Sequence, residues 1–241
     1  MIIPYFVAFG LFVFLFTREV IEPASGATCD KRWRIYAGAL NASNLVVVMA
    51  AGYLFSDWIT LNSFSPLPAA LDPISSSLII FMVASFCAYW WHRLTHASDF
   101  LWRTVHQLHH SPARIEALTA FYVHPIDSFL AATLNATIAY VVFGASGLEA
   151  GLALTYTVIF NLVAHADVKT PWALGLIIQR PEMHHFHHER DQHKSNYGLP
   201  LWDMLFGTWR NPRERAPITC GFSSNKEERI GDMLLMRDVE S

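Results

Sequence analysis

The chain has 241 residues, 53% of them hydrophobic and only 15% charged, whereas a soluble domain carries about 25% charged residues. With a mean hydropathy of +0.27, this composition excludes a disordered chain, and the net charge of −3 leaves no overall cationic surface for nucleic acid. Three well-separated cysteines exclude a disulfide scaffold, a zinc ribbon and an iron–sulfur ligand set.

Five apolar stretches follow one another along the chain. The first, residues 2–16, is uncharged but shorter than the ~20 residues of a typical span, and the first basic residue, Arg18, comes after it, unlike in a cleavable signal peptide. Two glycines in the turn 144–147 separate the last two stretches and predict a helical hairpin. The remaining stretches are residues 35–55, 73–91, 128–143 and 148–164. The sequence therefore predicts an all-α integral membrane protein with four to five transmembrane helices.

Basic residues give an independent test of this arrangement. If residues 18–34 lie in the cytoplasm, residues 56–72 and 144–147 lie outside, and the other connections lie inside. All 17 Lys and Arg residues then fall on the inner side, as the positive-inside rule requires. A soluble helical protein would not sort its charges in this way. We predict a multi-pass protein of a bacterial inner membrane or the endoplasmic reticulum, with its active site on the cytoplasmic side.

Histidine is unusually frequent, with twelve residues against four lysines. Nine of them fall into one HxxxH pair, two HxxHH clusters and one residue at the end of the fifth stretch. On a helix, positions i, i+3 and i+4 share a face, so each cluster presents several imidazoles to one small volume. Nine ring nitrogens suit two metal ions with four or five ligands each. The nine residues are His92, His96, His106, His109, His110, His165, His184, His187 and His188.

The ligand type leaves the metal open, because imidazole suits iron, copper, zinc and nickel. The segments 92–96, 106–110 and 184–188 contain no carboxylate that would serve as the general base of an HExxH hydrolase. Two adjacent redox ions can share the electrons needed to split O2, which leads to oxidation of a C–H bond, and the membrane makes a lipid the expected substrate. Two alternatives stay open: a zinc-dependent membrane hydrolase or isomerase, and a non-enzymatic metal transporter or sensor.

The histidine spacing and the phrases around it resemble the fatty acid hydroxylase and sterol desaturase superfamily of integral membrane di-iron enzymes. The matching phrases are the short step from His96 to His106, His-His-Ser at 109–111, Leu-Thr at 118–119, His-Pro at 124–125, Asn-Tyr-Gly at 196–198, Trp-Asp at 202–203 and Leu-Phe-Gly-Thr at 205–208. They cover about residues 85–208. The resemblance implies a cytoplasmic, histidine-rich helical cap that holds two iron ions, with zinc as a substitute in purified protein. It also implies O2-dependent hydroxylation or desaturation of a sterol, fatty acyl chain or related lipid.

The resemblance also implies a ligand assignment. One iron would be held by His96, His106, His110, His165 and His187. The other would be held by His92, His109, His184 and His188, with Asn161 in the place where many relatives have a fifth histidine. His124, His185 and His193 fall outside the ligand set. Asp167, Glu182, Asp191 and Asp203 are candidate acceptors for the imidazole N–H groups.

Electrons are expected from outside the chain, because the sequence has no GxGxxG or P-loop for a flavin, nicotinamide or nucleotide. The resemblance implies a ferredoxin or small cytochrome with its reductase. Five basic residues near the histidines are candidates for contact with an acidic donor or with lipid headgroups: Arg103, Arg114, Arg180, Arg190 and Lys194. No catalytic residue is assigned beyond the metal centre.

Composition divides the chain into three parts. Residues 1–72 are expected to form an N-terminal transmembrane hairpin and outer connection, and residues 73–209 a fatty acid hydroxylase-like catalytic domain. Residues 210–241 are charge-dense and are expected to form a cytoplasmic polar tail, with at most a short amphipathic helix around residues 230–236.

Overall fold

The computed structural model describes residues 3–28, 30–61, 71–215, 218–223 and 226–239. The ten α-helices of this part of the chain are α1 (Ile3–Ile21), α2 (Lys31–Leu61), α3 (Pro73–Ala97), α4 (Asp99–Leu101), α5 (Gln107–His110), α6 (Pro125–Ala136), α7 (Gly147–His165), α8 (Pro181–His187), α9 (Pro200–Leu205) and α10 (Ile230–Leu234). Two π-helical segments, Trp102–His106 and Thr137–Val142, join α4 to α5 and extend α6. No strand occurs among the described residues, and the predicted all-α class is confirmed.

Four helical segments are long and apolar enough to cross a membrane. They are Lys31–Leu54, Pro73–Ala97, Pro125–Val142 and Gly147–His165, and they match the second to fifth predicted stretches. Helix α1 has 19 residues, covers the first predicted stretch and ends at Ile21. The prediction of a multi-pass membrane protein is confirmed. Cys29 and residues 62–70 of the predicted outer connection lie outside the described residues.

Local sequence signals set the ends of the spans. The Asp72 side chain accepts hydrogen bonds from the N–H groups of Ile74 and Ser75, and Pro73 occupies the first turn of α3. Helix α7 begins with a reciprocal capping box between Ser146 and Glu149. Both helices therefore begin at the ends of their spans that lie opposite the histidines. For α7 this is the turn of the predicted hairpin.

Packing between the spans brings their histidine-bearing ends together. Helix α3 packs against α7, α2 against α6, and α1 against α7. Small side chains allow close approach: Ala84 and Ala153 pack with Ile80 and Ile138 in one buried cluster. As a result, the C-terminal ends of α3 and α7, which carry His92, His96 and His165, face the shorter helices α5 and α8.

The C-terminal segment is packed, which differs from the predicted polar tail. Met233 of α10 and Val239 are fully buried against Leu108 of α5. The Gln107 side chain donates to the carbonyl of Arg237 at 2.7 Å and accepts from the Val239 N–H at 3.4 Å. Phe222, Ile230 and Leu234 join the same cluster, so a few apolar positions dock the charge-dense segment. They pack on a surface that only the folded chain assembles, from Leu108 with Ala37 of α2 and Tyr122.

Candidate metal centre

All nine histidines of the predicted set lie in two groups. Within each group, one ring nitrogen from each residue lies within 4.8 Å of all the others. The five-histidine group contains His92, His96, His106, His110 and His187, and the four-histidine group contains His109, His165, His184 and His188. The two groups adjoin each other, because the rings of His110 and His188 stack with centroids 4.2 Å apart.

The division between the groups differs from the assignment implied by the resemblance. His92 joins the five-histidine group and His165 joins the four-histidine group, the reverse of what was expected. His92 lies one turn before His96 on α3, and their Nε2 atoms are 3.3 Å apart. His165, at the end of α7, instead faces His184, with their Nε2 atoms 2.9 Å apart. The groups to which His92 and His165 belong depend on how the ends of α3 and α7 are placed in the folded chain. The spacing of the histidines along the chain does not reveal this placement.

Backbone carbonyls orient four of the imidazoles through their Nδ1 atoms. The pairs are His92 with Tyr197 at 2.7 Å, His165 with Asn161 at 2.8 Å, His187 with Ser195 at 2.8 Å and His109 with Tyr122 at 3.4 Å. A neutral imidazole has one N–H, so donation from Nδ1 leaves Nε2 with a bare lone pair. The carbonyls therefore aim the Nε2 atoms at a metal site in the way that partners of metal-binding histidines do.

The Nε2 atoms of His109 and His165 are 3.2 Å apart. Both rings place their proton on Nδ1, so no proton lies between these two nitrogens and two lone pairs face each other. Such a contact is unfavourable unless a cation lies beside both. Ligands at about 2.1 Å from one ion, separated by octahedral or tetrahedral angles, lie about 3.0–3.4 Å from each other. The residues present therefore fit a metal ion.

The same spacing recurs within both groups. His188 and His184 have Nε2 atoms 3.3 Å apart, and His106 and His96 have Nε2 atoms 3.0 Å apart. Several buried ring nitrogens have no hydrogen-bond partner among the described residues, including both nitrogens of His110 and Nε2 of His187. Unsatisfied buried nitrogens are costly, and metal coordination would satisfy them.

Burial also keeps the imidazoles ready for metal. Desolvation, reinforced by neighbouring histidines, lowers the pKa well below 6.5 for six histidines outside the spans: His106, His109, His110, His184, His187 and His188. The neutral ring is the form that binds a metal ion, so these groups do not have to lose a proton at neutral pH.

The three remaining histidines have structural partners. His124 caps α6 by accepting the Ile126 N–H at 3.2 Å, and His185 contacts Arg215. His193 pairs through Nδ1 with the carbonyl of His187 at 2.9 Å. None of the three is in either group, which agrees with their exclusion from the expected ligand set.

Three of the four predicted carboxylate acceptors, Asp167, Glu182 and Asp203, bond to groups other than imidazoles. Asp203 is fully buried and accepts hydrogen bonds from the N–H groups of Tyr197 and Gly198 and from the Thr208 hydroxyl. Burial raises the pKa of Asp203 to about 6. It thus holds the loop whose Tyr197 carbonyl orients His92. Similarly, Asp167 pairs with Arg114 and Arg215, and Glu182 binds Thr170 and Arg180.

An apolar cavity of about 320 Å³ connects the histidines with the interior of the spans. Five of the nine histidines line it together with Phe81, Leu154 and other mostly apolar side chains; they are His92, His106, His109, His165 and His184. Asn161 also lines it; its side-chain amide donates to the Thr157 carbonyl at 2.9 Å. A cavity of this composition suits an apolar ligand, and histidines of both groups line it.

Residues 77–208 match the family model described as fatty acid hydroxylase, which is more than half of the chain. The chain belongs to the fatty acid hydroxylase family. It is 28% identical to methylsterol monooxygenase 2-2 of Arabidopsis thaliana over 77% of this chain and 70% of that protein. It is 30% identical to the ornithine lipid hydroxylase OlsE of Rhizobium tropici, over 59% of this chain and 44% of the relative.

A third relative is the sphingolipid C4-hydroxylase sur2 of Schizosaccharomyces pombe, 25% identical over 60% of this chain and 51% of that protein. The chain thus spans about half the length of two of these three relatives. No solved structure matches the chain. The relatives are named as a monooxygenase and hydroxylases, and the prediction of an oxidoreductase of the fatty acid hydroxylase family is confirmed.

Three of the five basic residues considered for contact with an electron donor form ion pairs or hydrogen bonds within the protein instead. Arg114 pairs with Glu116 and Asp167, and Arg190 donates to two carbonyls of the C-terminal segment. Arg180 is 1% exposed and donates to Thr170, Asn211 and Pro212 while pairing with Glu182. It immediately precedes α8, the helix that carries His184 and His187 and is followed by His188. The other two, Arg103 and Lys194, are exposed.

Proposed function

We propose that this protein is a membrane-bound di-iron oxygenase that inserts oxygen into, or desaturates, a C–H bond of a lipid. The observation that carries the proposal is the 3.2 Å approach of the Nε2 atoms of His109 and His165, whose side chains line an apolar cavity. The names of the relatives support a lipid substrate. Bound iron would supply the activation of O2 with electrons from an external donor.

The two groups define the proposed ligand sets. The five-histidine group would hold one iron, and the four-histidine group with Asn161 would hold the other. The protein's contribution is to fix the rings through backbone carbonyls, to keep them neutral by burial, and to exclude water from the site. The external donor would be a ferredoxin or small cytochrome with its reductase.

The domain division belongs to the same proposal. Residues 73–209 contain all nine histidines and would form the catalytic domain, with residues 1–72 as the N-terminal transmembrane hairpin and outer connection. Residues 210–241 would lie in the cytoplasm, packed on α5 in their described part. The sorting of basic residues supports a cytoplasmic active site.

The function is tested on detergent-purified protein by elemental analysis and by O2 uptake. We expect about two iron ions per chain, and consumption of O2 with formation of a hydroxylated or desaturated lipid when membrane lipids, a ferredoxin and its reductase are supplied. Protein loaded with zinc instead of iron serves as the control and should take up no O2. A folded, iron-loaded protein without O2-dependent product, or one active only with zinc, would contradict the proposal.

Orientation is tested with single cysteines in a chain whose Cys29, Cys87 and Cys220 are replaced by serine. Leu71 is 36% exposed ahead of α3 and Phe100 is 65% exposed on α4. In intact cells or sealed vesicles of known sidedness, Leu71→Cys should react with an impermeant thiol reagent from outside, and Phe100→Cys only after permeabilisation. The opposite labelling pattern would place the histidines outside.

Asn161 is expected to complete the four-histidine site through its amide oxygen, because its amide nitrogen already bonds to the Thr157 carbonyl. An amide oxygen is a weaker ligand than imidazole. Asn161→His should therefore slow metal loss to a chelator, and Asn161→Ala should speed it and lower turnover. The matched control is Asn135→Ala, since Asn135 also lines the cavity and bonds to a carbonyl one turn back, that of Ala131 at 2.8 Å. Equal rates of metal loss in the two alanine variants would make Asn161 a packing residue.

A further inference from the structure

The apolar cavity beside the histidines contains one carboxyl group among otherwise apolar and neutral side chains. Among the described residues, Asp127 is the only acidic residue that lines the cavity, and no lysine or arginine of this part of the chain lines it. The residue lies in the first turn of α6, just inside the end of the span that begins at Pro125. An ionisable side chain within a span is costly, and such residues usually serve function.

One oxygen of this carboxyl group is fixed and the other is available. Trp91 donates its indole N–H to Oδ1 of Asp127 at 3.0 Å. Asp127 forms none of the ion pairs found among the described residues. Hydrogen-bond acceptors in an apolar cavity need a donor, and the described residues provide one for Oδ1 only. A bound molecule with a donor group would satisfy Oδ2.

The position of this oxygen relates it to the reaction site. Trp91, whose indole donates to Asp127, directly precedes His92 of the five-histidine group in the chain. His92, His109 and Asp127 line the same cavity. At about 320 Å³ the cavity is at the small end of ligand pockets, so it accommodates only part of a long lipid. A molecule in this cavity therefore contacts a wall that holds both Asp127 and the histidines.

We propose that Asp127 is a specificity-determining residue of this cavity, and that it selects lipids with a hydroxyl or amino hydrogen-bond donor near the carbon that is oxidised. The inference rests on the proposed function and narrows its substrate class. A hydroxylated lipid or a lipid amine satisfies the second carboxylate oxygen. A plain hydrocarbon chain or an ester leaves it without a donor, which weakens binding.

The test is equilibrium binding of four radiolabelled C18 probes to the metal-loaded protein in detergent: octadecan-1-ol, octadecan-1-amine, methyl octadecanoate and octadecane. A hydrogen bond to a charged group favours the two donor probes by roughly 10- to 100-fold over the other two. Comparing the alcohol with the amine shows which donor is preferred. Because binding is measured without turnover, the affinities for the four probes can be interpreted even if the protein proves not to be an oxygenase.

Two variants give opposite expectations at Asp127. Asp127→Leu should abolish the preference for donor probes. Asp127→Asn can still accept from Trp91 and would turn its NH2 group, a donor, toward the cavity. The ester and the alcohol, whose oxygens accept, should then bind better than the amine, which is a donor-only ammonium group at neutral pH. A purely structural role for Asp127 would not reverse the order of the probes.

The matched control is Thr157→Val, which removes a polar group from the same cavity wall without changing its shape. The Thr157 hydroxyl already donates to the Ala153 carbonyl at 3.2 Å, so this variant should keep the parent's donor preference. Metal content and thermal stability are measured for each variant. The proposal is overturned if the parent protein binds all four probes alike, or if folded, metal-loaded Asp127→Asn and Asp127→Leu retain the parent's order of affinities.

Discussion

Replacing His165 and His187 together by alanine is expected to remove both metal ions. In the structure, His165 belongs to the four-histidine group and His187 to the five-histidine group, so the double variant damages both sites. Loss of a single ligand should weaken metal binding on the order of 100-fold or more. Even mutation of a group that only orients a ligand typically lowers metal affinity or activity by about 10–100-fold. Each single variant should keep about one ion per chain and lose turnover.

A second double variant allows the experiment to distinguish the two ligand assignments. His165 and His184 lie in the same group, so the double variant His165→Ala/His184→Ala should keep about one ion. The assignment implied by family resemblance gives the reverse: one ion retained without His165 and His187, and none without His165 and His184. Metal analysis of folded protein decides between them. His124→Ala, which removes a helix cap, is the control and should keep both ions. Two retained ions in both double variants would refute both assignments.

Arg180→Met is expected to destabilise the protein strongly and to release metal. The guanidinium of Arg180 is buried and pairs with Glu182, which is also buried, at 3.1 Å. Removing one member of a buried ion pair leaves an uncompensated charge and costs about 3–5 kcal/mol. Because Arg180 directly precedes α8, the loss should also displace His184 and His187. The measurements are thermal unfolding in detergent and metal content.

Three further variants separate charge from geometry. Arg180→Lys keeps the charge but loses the planar fork that reaches Thr170 and Asn211, so an intermediate effect is expected. Adding Glu182→Gln to Arg180→Met removes the unpaired carboxylate and should restore part of the stability. Arg213→Met is the matched control, because Arg213 is exposed over the Trp172 ring and should change stability by no more than about 0.5 kcal/mol. Wild-type stability and metal content in Arg180→Met would show that this ion pair does not support the site.

Much of the fold was predictable from the sequence because its signals are local. A membrane span is a run of apolar residues, and a helix places i, i+3 and i+4 on one face. The apolar runs therefore predicted the four spans, and the two HxxHH clusters predicted a shared site. The phrases around the histidines were enough to indicate the family. These properties depend on neighbours within a few residues, which the sequence shows directly.

The orientation of the imidazoles was not predictable in the same way. Carboxylates were expected as partners, but the acceptors are main-chain carbonyls such as those of Tyr197 and Ser195. Every residue has a carbonyl, so composition contains no signal for which one faces a ring. Asp203 is nevertheless important, because it holds the backbone that supplies one of those carbonyls.

By itself, the sequence determined that this is a helical membrane protein with nine histidines of one family's pattern. Only the tertiary structure placed His92 in the five-histidine group and His165 in the four-histidine group, packed the C-terminal segment against Leu108 of α5, and put Asp127 in the lining of the apolar cavity. Each of these depends on contacts between helices that are distant in the chain. Such contacts are set by how whole helices pack and where their ends point, and residue spacing along one helix does not contain that information.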